Sequence, residues 1–333
     1  MAQIQTEFLV GDPDRQGASE KAGAFVHHRI SARTAEALAQ FLAQRKPRRI
    51  LLHYVGYGYA KRGCPDWLVQ GLEIWKRQTP DAKLAVMFHE LFASGPIWTS
   101  AFWTSAKQRN LCARLARLST VAFTSSTVTA GILKREWQVE TAMVLPVFSN
   151  FGEPAQVLPM AERQPQVLVY LRTPLSNPEQ TQLEMTLRQV GQVFGIKKIV
   201  VFGKASLAAG DVGMLVDNLG LVAPDTLGRL LEQSRMGLLF YDTQWLAKSS
   251  ILAAFSACGV VPVVIGALAP AVDGLCQDEN FLNGGQLPAS GDINLLQRLS
   301  TSTHRWYCAH RSSLVAVEVA RHLEVLSAPA LPA

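Results

Sequence analysis

The sequence contains little of what marks secreted, zinc-binding or membrane-spanning proteins. Its five cysteines are odd in number, widely separated and without a C-x-x-C pair, which argues against a disulfide framework and a cysteine-based zinc site. Unpaired cysteines are typical of reducing compartments, so we expect a cytoplasmic location. The first residues have no basic stretch followed by an apolar core, so the sequence predicts no secretory signal.

Only one stretch of the sequence approaches the length of a membrane span. The 22 residues from Ile251 to Val272 carry no charge, and a spanning helix needs about 20 apolar residues. Gly259 and Pro262 interrupt this stretch, however, and residues 260–264 have the density of β-branched side chains that is typical of a buried strand. The stretch therefore predicts a helix, a glycine turn and a buried strand.

The positive charge lies in the first half of the chain. Residues 1–150 hold 19 Lys or Arg and 11 Asp or Glu, whereas residues 151–333 hold 13 Lys or Arg and 15 Asp or Glu. We expect an acidic partner, including the inner face of a membrane in peripheral contact, to meet the first half, and we expect no nucleic-acid partner. A solvated helix face is the alternative reading. Trp98, Phe102 and Trp103 suit a membrane interface, but aromatic side chains at this spacing more often belong to a core, which we expect here.

Apolar runs and helical patterns alternate along the chain, which predicts two domains of the doubly wound α/β class. The predicted strands are Phe8–Val10, Ile50–Val55, Leu84–Phe88, Thr120–Thr124, Ala142–Val147, Val167–Leu171, Ile199–Phe202, Leu219–Val222, Met236–Tyr241 and Val261–Val264. The predicted helices include Ala32–Gln44, Asp66–Arg77, Trp98–Leu118, Pro178–Phe194, Asp225–Ser234 and Ser250–Cys258. A linker rich in Gly and Pro near residue 150 divides the chain into domains 1–150 and 151–326, with a frayed tail at 327–333.

Three positive features in the second half point to a bound diphosphate. One apolar run leads directly into Arg172, another leads into Lys204, and Lys248-Ser249-Ser250 opens a predicted helix. In open parallel α/β sheets, ligands bind at the carboxyl ends of strands, and helix N-termini attract anions. A single cation at a strand end is more often only exposed to water. The pairing of two such cations favours contact with phosphate.

The order of several short motifs resembles the GT-B glycosyltransferases of the family 4 type. No single motif is diagnostic, and together they cover most of the chain. Those similar to the acceptor-side domain are His53–Tyr59, Arg62–Pro65, Met87–Leu91 and Leu145–Asn150, and those similar to the donor-binding domain are Leu227–Ser234, Gly237–Leu239 and Ala257–Val264.

The resemblance implies the GT-B fold, with two doubly wound Rossmann-like domains facing a central cleft. It implies a hexosyltransferase of glycan biosynthesis that moves a sugar from a UDP- or GDP-sugar to a hydroxyl of a glycan or a lipid-linked acceptor. Such enzymes usually retain the anomeric configuration and use no metal or other cofactor. By resemblance, Arg172 and Lys204 hold the donor diphosphate. Without a divalent cation, fixed positive groups must offset the charge of the leaving phosphate.

The resemblance also implies a site in the first domain. His89 and Glu90 follow a predicted strand, where the family places a residue that contacts the transferred sugar or the acceptor hydroxyl. Gly56 permits close backbone approach, and Tyr57 offers a ring for stacking on a sugar or base, although a plain loop after the strand fits the segment equally well. Four further histidines (His27, His28, His304, His310) show no metal-ligand spacing, and we expect them at the surface.

One departure from the family pattern concerns two carboxylates. The family carries a Glu pair before the segment that Ala257-Cys258-Gly259 resembles, and this chain has Leu246 and Ala254 at those positions. The donor ribose would then need another partner, such as Asp242 or Glu232. The departure keeps a non-catalytic protein that binds a nucleotide sugar or a glycan as the alternative, and a sugar-nucleotide epimerase of the same fold as a third hypothesis.

Overall fold

The computed structural model describes residues 6–11, 21–22, 25–140, 142–207, 212–269 and 272–323. The chain forms two compact units. The first comprises the residues up to Leu145 together with those from Val317 onward, and the second comprises Pro146–Ala316. The sequence had instead assigned residues through 326 to the second domain. The predicted tail at 327–333 lies outside the described residues.

The first unit contains a four-stranded parallel sheet and a separate small sheet. The parallel sheet has the order β4-β5-β6-β7, and the small sheet has the order β1-β3-β2. In chain order the elements are β1 (Glu7–Val10), β2 (Lys21–Ala22), β3 (Phe25–Arg29), α1 (Ala35–Arg45), β4 (Arg49–Tyr54), α2 (Gly56–Tyr59), α3 (Asp66–Gln78), β5 (Lys83–Phe88), α4 (Ser100–Leu118), β6 (Val121–Thr124), α5 (Thr127–Trp137) and β7 (Met143–Val144).

The amphipathic helices of the first unit have well-defined starts. Thr34, Thr99 and Ser126 precede α1, α4 and α5, and each side chain accepts a hydrogen bond from a backbone N–H of the first turn, as an N-cap does. The helices bury their apolar faces against the sheet. Trp75 of α3 and Phe88 of β5 are almost inaccessible to water, so the core lies around the central strands.

The second unit is built on one six-stranded parallel sheet with the order β10-β9-β8-β11-β12-β13. Counted within this unit, the order is 3-2-1-4-5-6, that of a doubly wound dinucleotide-binding sheet. The chain reverses its winding between β8 and β11. The elements are β8 (Gln164–Leu171), α6 (Asn177–Phe194), β9 (Lys198–Gly203), β10 (Leu215–Gly220), α7 (Pro224–Gln233), β11 (Ser234–Phe240), α8 (Ser250–Ala257), β12 (Val261–Ile265), β13 (Leu282–Asn283) and α9 (Ile293–Cys308). The last helix, α10 (Ser312–His322), begins in this unit, and its residues from Val317 onward belong to the first.

Helices cover both faces of this sheet. The side chains of β8 alternate, because Val167 and Val169 pack in one core cluster and Leu168 packs in another. The first cluster includes Leu187 of α6 and the second includes Phe255 of α8. Since successive residues of a strand point to opposite faces, α6 and α8 lie on opposite sides of the sheet. The predicted two-domain Rossmann-like α/β fold is confirmed.

The long uncharged stretch folds as its glycine and proline residues predict. It begins in α8, turns at Gly259 with a φ of +63° and continues into β12, whose five residues are all buried. No helix within the described ranges is long and apolar enough to cross a membrane.

Several predictions about single elements and residues are wrong. The strand expected at Leu219–Val222 lies at Leu215–Gly220. The aromatic side chains expected in a core are exposed: Trp98 is 81% accessible, Trp103 is 74% and Phe102 is 44%. Conversely, His28 and His310, which were expected at the surface, are buried.

Candidate functional site

The carboxyl edge of the second sheet brings two of the predicted residues to neighbouring positions. Arg172 follows the last residue of β8, and Lys204 follows the last residue of β9. Leu171 and Gly203 are paired in the parallel ladder, so the two basic residues leave adjacent strands at the same level, about 4.8 Å apart in the sheet. Both are exposed, and neither side chain has a hydrogen-bond or ion-pair partner within the part of the chain that the structure describes.

Glycine allows the strand ends to approach closely at this edge. Gly203 has a φ of +124°, and a Cβ there would overlap the carbonyl oxygen of Leu171. A Cβ on Gly266, directly after β12, would lie 2.7 Å from the carbonyl carbon of Tyr241, directly after β11. Since real Cβ atoms do not come so close to backbone, both positions need glycine. The two glycines therefore let the backbones of neighbouring strand ends pack closely at this edge.

The segment Lys248-Ser249-Ser250 joins a 3-10 turn over Thr243–Lys248 to the first turn of α8. Ser249 is almost fully buried, and its hydroxyl accepts a hydrogen bond from the N–H of Leu252 (3.1 Å). It is the N-cap of α8. Lys248 and Ser250 are half-buried, and the Lys248 ammonium lies 5.1 Å from the centroid of the Trp245 ring. Ser249 thus orients the helix N-terminus, and its two neighbours keep accessible polar groups.

The two carboxylates suggested for ribose recognition lie at opposite ends of the sheet. Asp242 follows β11 at the carboxyl edge, is exposed, and accepts a hydrogen bond from the N–H of Ala267 through Oδ1 (3.0 Å). Glu232 lies in the last turn of α7, just before β11 begins, at the amino edge. Leu246 and Ala254, which replace the family's Glu pair, are each only 1% accessible and pack in one core cluster.

A pair of imidazoles lies at the carboxyl edge of the first sheet. His89 follows β5, and its N–H donates to the carbonyl of Tyr54 at the end of β4 (3.1 Å). The His89 Nε2 and the His53 Nδ1 share a hydrogen bond of 3.0 Å, and the rings are stacked with centroids 5.2 Å apart. Neighbouring atoms shield the ring of His53 from water although the residue keeps an exposed side, and this desolvation lowers its pKa. Glu90 is exposed.

The loop after β4 carries the other predicted residues of the first unit. Gly56 is buried in the short helix α2, where a Cβ would lie 2.8 Å from the carbonyl oxygen of Gly63. Tyr57 is 46% accessible, and its hydroxyl accepts a hydrogen bond from the Gln108 side chain (3.3 Å). Gln108 also donates to the carbonyl of Arg62 (2.8 Å) and accepts from the N–H of Ala93 (2.6 Å). This buried amide joins the loops after β4 and β5.

Two of these residues were not among the predicted site residues. His53 is the partner of His89, and Gln108 supports Tyr57. His53 sits near the end of a predicted strand that neighbours the strand before His89, so adjacency of parallel strand ends is the signal that could have found it. No comparable signal exists for Gln108, because its contacts join distant segments. Within the described ranges, no group of three or more His, Cys, Asp or Glu side chains is arranged to hold a metal ion.

Comparison with known proteins identifies the fold of the chain. No protein-family model and no curated protein sequence matches the chain. Among solved structures it is similar to TarM, with 13% identity and a TM-score of 0.55 over 87% of this chain and 58% of TarM. The chain thus spans less than two thirds of TarM.

Two further solved structures match over most of both chains. An α-glucosyltransferase in complex with UDP and a DNA 13-mer is 12% identical, with a TM-score of 0.54 over 90% of this chain and 85% of the other. The α,α-trehalose 6-phosphate synthase of Burkholderia multivorans is 11% identical, with a TM-score of 0.57 over 96% of this chain and 89% of the synthase. Identities this low establish the fold alone. The chain therefore has the two-domain, Rossmann-like GT-B fold of these structures.

Proposed function

We propose that this protein is a cytoplasmic glycosyltransferase of the family 4 type, which moves a hexose from a nucleoside diphosphate sugar to a hydroxyl of a glycan or lipid-linked acceptor. The observation that carries the proposal is the placement of Arg172 and Lys204 on adjacent, register-matched strand ends. This edge of a doubly wound sheet is where such folds bind nucleotides. The solved structures with the same fold include a glucosyltransferase with bound UDP.

The proposed role of the two cations follows from the charge of the leaving group. When the bond between the sugar and the phosphate breaks, negative charge collects on the diphosphate. A guanidinium presents a planar fork of donors and an ammonium presents a compact charge, so Arg172 and Lys204 together suit two phosphate groups. The N-terminus of α8, next to Lys248 and Ser250, adds backbone N–H groups that are not paired within the helix and that carry partial positive charge, as the two cations do. Stabilisation by these groups would make transfer independent of a divalent metal.

The first unit is proposed to supply the groups that meet the transferred sugar and the acceptor. His89 is suited to contact a sugar hydroxyl or to accept a proton, and its hydrogen bond to His53 fixes the orientation of its ring. Glu90 is exposed beside it as a second acceptor of hydrogen bonds. Tyr57 offers its accessible ring for stacking, and Gly56 holds the backbone of that loop. Retention of configuration and peripheral membrane contact through this unit are parts of the same proposal.

A non-catalytic binding protein is the second candidate, because one observation favours it. The positions of the family's two carboxylates are occupied by Leu246 and Ala254, which pack in the core. A site without them would still bind a diphosphate through its cations. Turnover is what distinguishes the two candidates.

Binding is tested first, with UDP, GDP and ADP in calorimetry. Arg172→Ala and Lys204→Ala should each weaken binding about tenfold to a hundredfold, the effect of losing a hydrogen bond to a charged group. Lys197→Ala is the matched control. It removes an exposed cation just before the opposite end of the same strand, β9, and should leave the affinity unchanged. Equal affinities for all four proteins would exclude the proposed diphosphate site.

Turnover is tested with a panel of UDP- and GDP-sugars. Hydrolysis or transfer that persists in EDTA, retains the anomeric configuration by NMR and disappears in Arg172→Ala supports the metal-independent retaining enzyme. Binding without turnover supports the non-catalytic protein. Conversion of the donor to an epimer without acceptor identifies an epimerase and contradicts the transferase.

A further inference from the structure

The start of α4 exposes a cluster of large apolar side chains. Ile97 is 62% accessible, Trp98 is 81%, Phe102 is 44% and Trp103 is 74%. We call these four residues the aromatic patch. They lie within seven consecutive positions of the chain. Single exposed apolar residues are ordinary on a protein surface, but a cluster with two tryptophans marks a surface that contacts something else.

The aromatic patch is held in an ordered helical turn. The backbone N–H of Thr99 donates to the carbonyl of Pro96 (2.9 Å), and the Thr99 hydroxyl accepts from the N–H of Phe102 (3.4 Å). This cap starts α4 at Ser100. The rings of Phe102 and Trp103 pack edge to face with centroids 5.4 Å apart. Phe102 and Trp103 therefore project from the capped first turn of α4, and Ile97 and Trp98 lie directly before it.

Most of the charges around the patch are positive. No Asp or Glu occurs from residue 91 to residue 135, whereas six Lys or Arg do. Lys107 and Arg117 are exposed on α4, and Lys107 keeps half of its side chain accessible although it pairs with Asp66 (2.7 Å). Lys61 and Arg62 are exposed in the loop that Gln108 joins to α4 through the carbonyl of Arg62. Exposed tryptophans flanked by cations match the chemistry of an anionic membrane surface.

We propose that the aromatic patch inserts into the interface of an anionic lipid bilayer, while Lys61, Arg62 and Lys107 meet the phosphates of the headgroups. Trp and Phe side chains are stable at the boundary between headgroups and acyl chains, and basic residues near the surface add attraction to anionic lipids. A second copy of this chain would place the cations of one patch against those of another. The charges therefore favour the bilayer. This inference rests on the membrane contact included in the proposed function and gives it a surface, and its test is separate from the tests of nucleotide binding and turnover.

The test is flotation of the full chain with vesicles of phosphatidylcholine, alone or mixed with phosphatidylglycerol. The unchanged protein should float with the anionic vesicles and much less with the neutral ones. The double variant Trp98→Ala/Trp103→Ala should bind the anionic vesicles at least about tenfold more weakly, because binding scales with the apolar area buried. Lys61→Gln/Arg62→Gln should lose the preference for anionic over neutral vesicles.

A control variant removes two apolar side chains of similar fractional exposure elsewhere. Leu215 and Leu221 in the second unit are 74% and 76% accessible, so Leu215→Ala/Leu221→Ala should bind vesicles like the unchanged protein. Circular dichroism confirms that each variant is folded. Unchanged flotation of the tryptophan variant would overturn the proposal, as would equal binding to both kinds of vesicle. Absence of flotation, with self-association by ultracentrifugation that the tryptophan changes abolish, would identify a second copy as the occupant.

Discussion

Replacement of Gly203 by alanine tests whether the spacing of the two strand ends creates the diphosphate site. Gly203 ends β9 with a φ of +124°, and an added Cβ would overlap the carbonyl oxygen of Leu171 and lie 2.8 Å from its carbonyl carbon. Ordinary contacts of a Cβ begin near 3.4 Å. The overlap with the oxygen is the closer of the two contacts, so the ends of β8 and β9 would have to separate by about one ångström to relieve it.

The expected magnitudes follow from this displacement. The strained backbone costs about 1–3 kcal/mol of unfolding free energy. Arg172 and Lys204 directly follow the displaced residues, so the distance between the cations changes as well. The loss of one well-placed hydrogen bond to a charged phosphate costs about 1.5–3 kcal/mol, which is a tenfold to hundredfold loss of affinity. Gly203→Ala should therefore weaken both stability and nucleoside diphosphate binding.

Gly195→Ala separates the two effects. Gly195 follows α6 with a φ of +63°, and a Cβ there meets nothing within 4 Å. Its replacement should cost about 1 kcal/mol of stability through the left-handed backbone alone, with no change in affinity. Urea unfolding and calorimetry with the nucleoside diphosphate that binds the unchanged protein measure both quantities. A Gly203→Ala protein that binds as tightly as Gly195→Ala would refute the argument from strand spacing.

Three further predictions concern the ribose, the imidazole pair and acid stability. Asp242→Asn keeps an oxygen for the N–H of Ala267 but removes the carboxylate proposed for the ribose. We expect about tenfold weaker binding of nucleoside diphosphates and unchanged binding of inorganic pyrophosphate. Equal losses for both ligands in calorimetry would contradict a ribose contact. His53→Phe removes the hydrogen bond that orients His89 and should lower turnover about tenfold at unchanged nucleotide affinity; unchanged turnover would assign the pair to structure alone. Burial lowers the pKa of His310 to about 4, below its ordinary value. The unfolded state therefore binds the proton more strongly than the folded state does. The free energy of unfolding should fall as the pH drops from about 6.5 to 4, by up to about 3 kcal/mol. In urea unfolding at pH 7 and pH 5, His310→Phe should lose less stability on acidification than the unchanged protein does; equal losses would contradict this assignment.

The alternation of helix and strand was readable because it depends on local pattern. The predicted strand Val167–Leu171 lies inside β8, and the predicted helix Ser250–Cys258 matches α8 to one residue. Both elements are buried, so hydrophobicity marked them directly. The strand at Leu215–Gly220 was misplaced because hydrophobicity does not mark it. That strand is at the edge of its sheet and is partly exposed along its length, so it lacks the apolar run that identifies a central strand.

Side-chain environments were less predictable than elements. Trp98 was predicted to be buried and is exposed, and His310 was predicted to be exposed and is buried. Trp98 lies just before α4 and His310 just after α9, so neither belongs to the helical pattern from which burial can be predicted. His310 packs against the rings of Trp306 and Tyr307, and its Nε2 is buried without a partner among the described residues. Its contacts depend on how the end of α9 folds, and no short spacing encodes them.

The missing Glu pair has a structural explanation that changes what should replace it. Leu246 and Ala254 lie in the same core cluster as Phe255, so a carboxylate at either position would be desolvated among apolar side chains and would destabilise the fold. The absence is thus part of how this unit packs, and restoring Leu246→Glu should cost stability without improving donor binding. A carboxylate for the ribose has to come from the exposed carboxyl edge, where Asp242 follows the strand at which the winding reverses. If Leu246→Glu instead tightens donor binding in a folded protein, position 246 can reach the ligand and this account of the site is wrong.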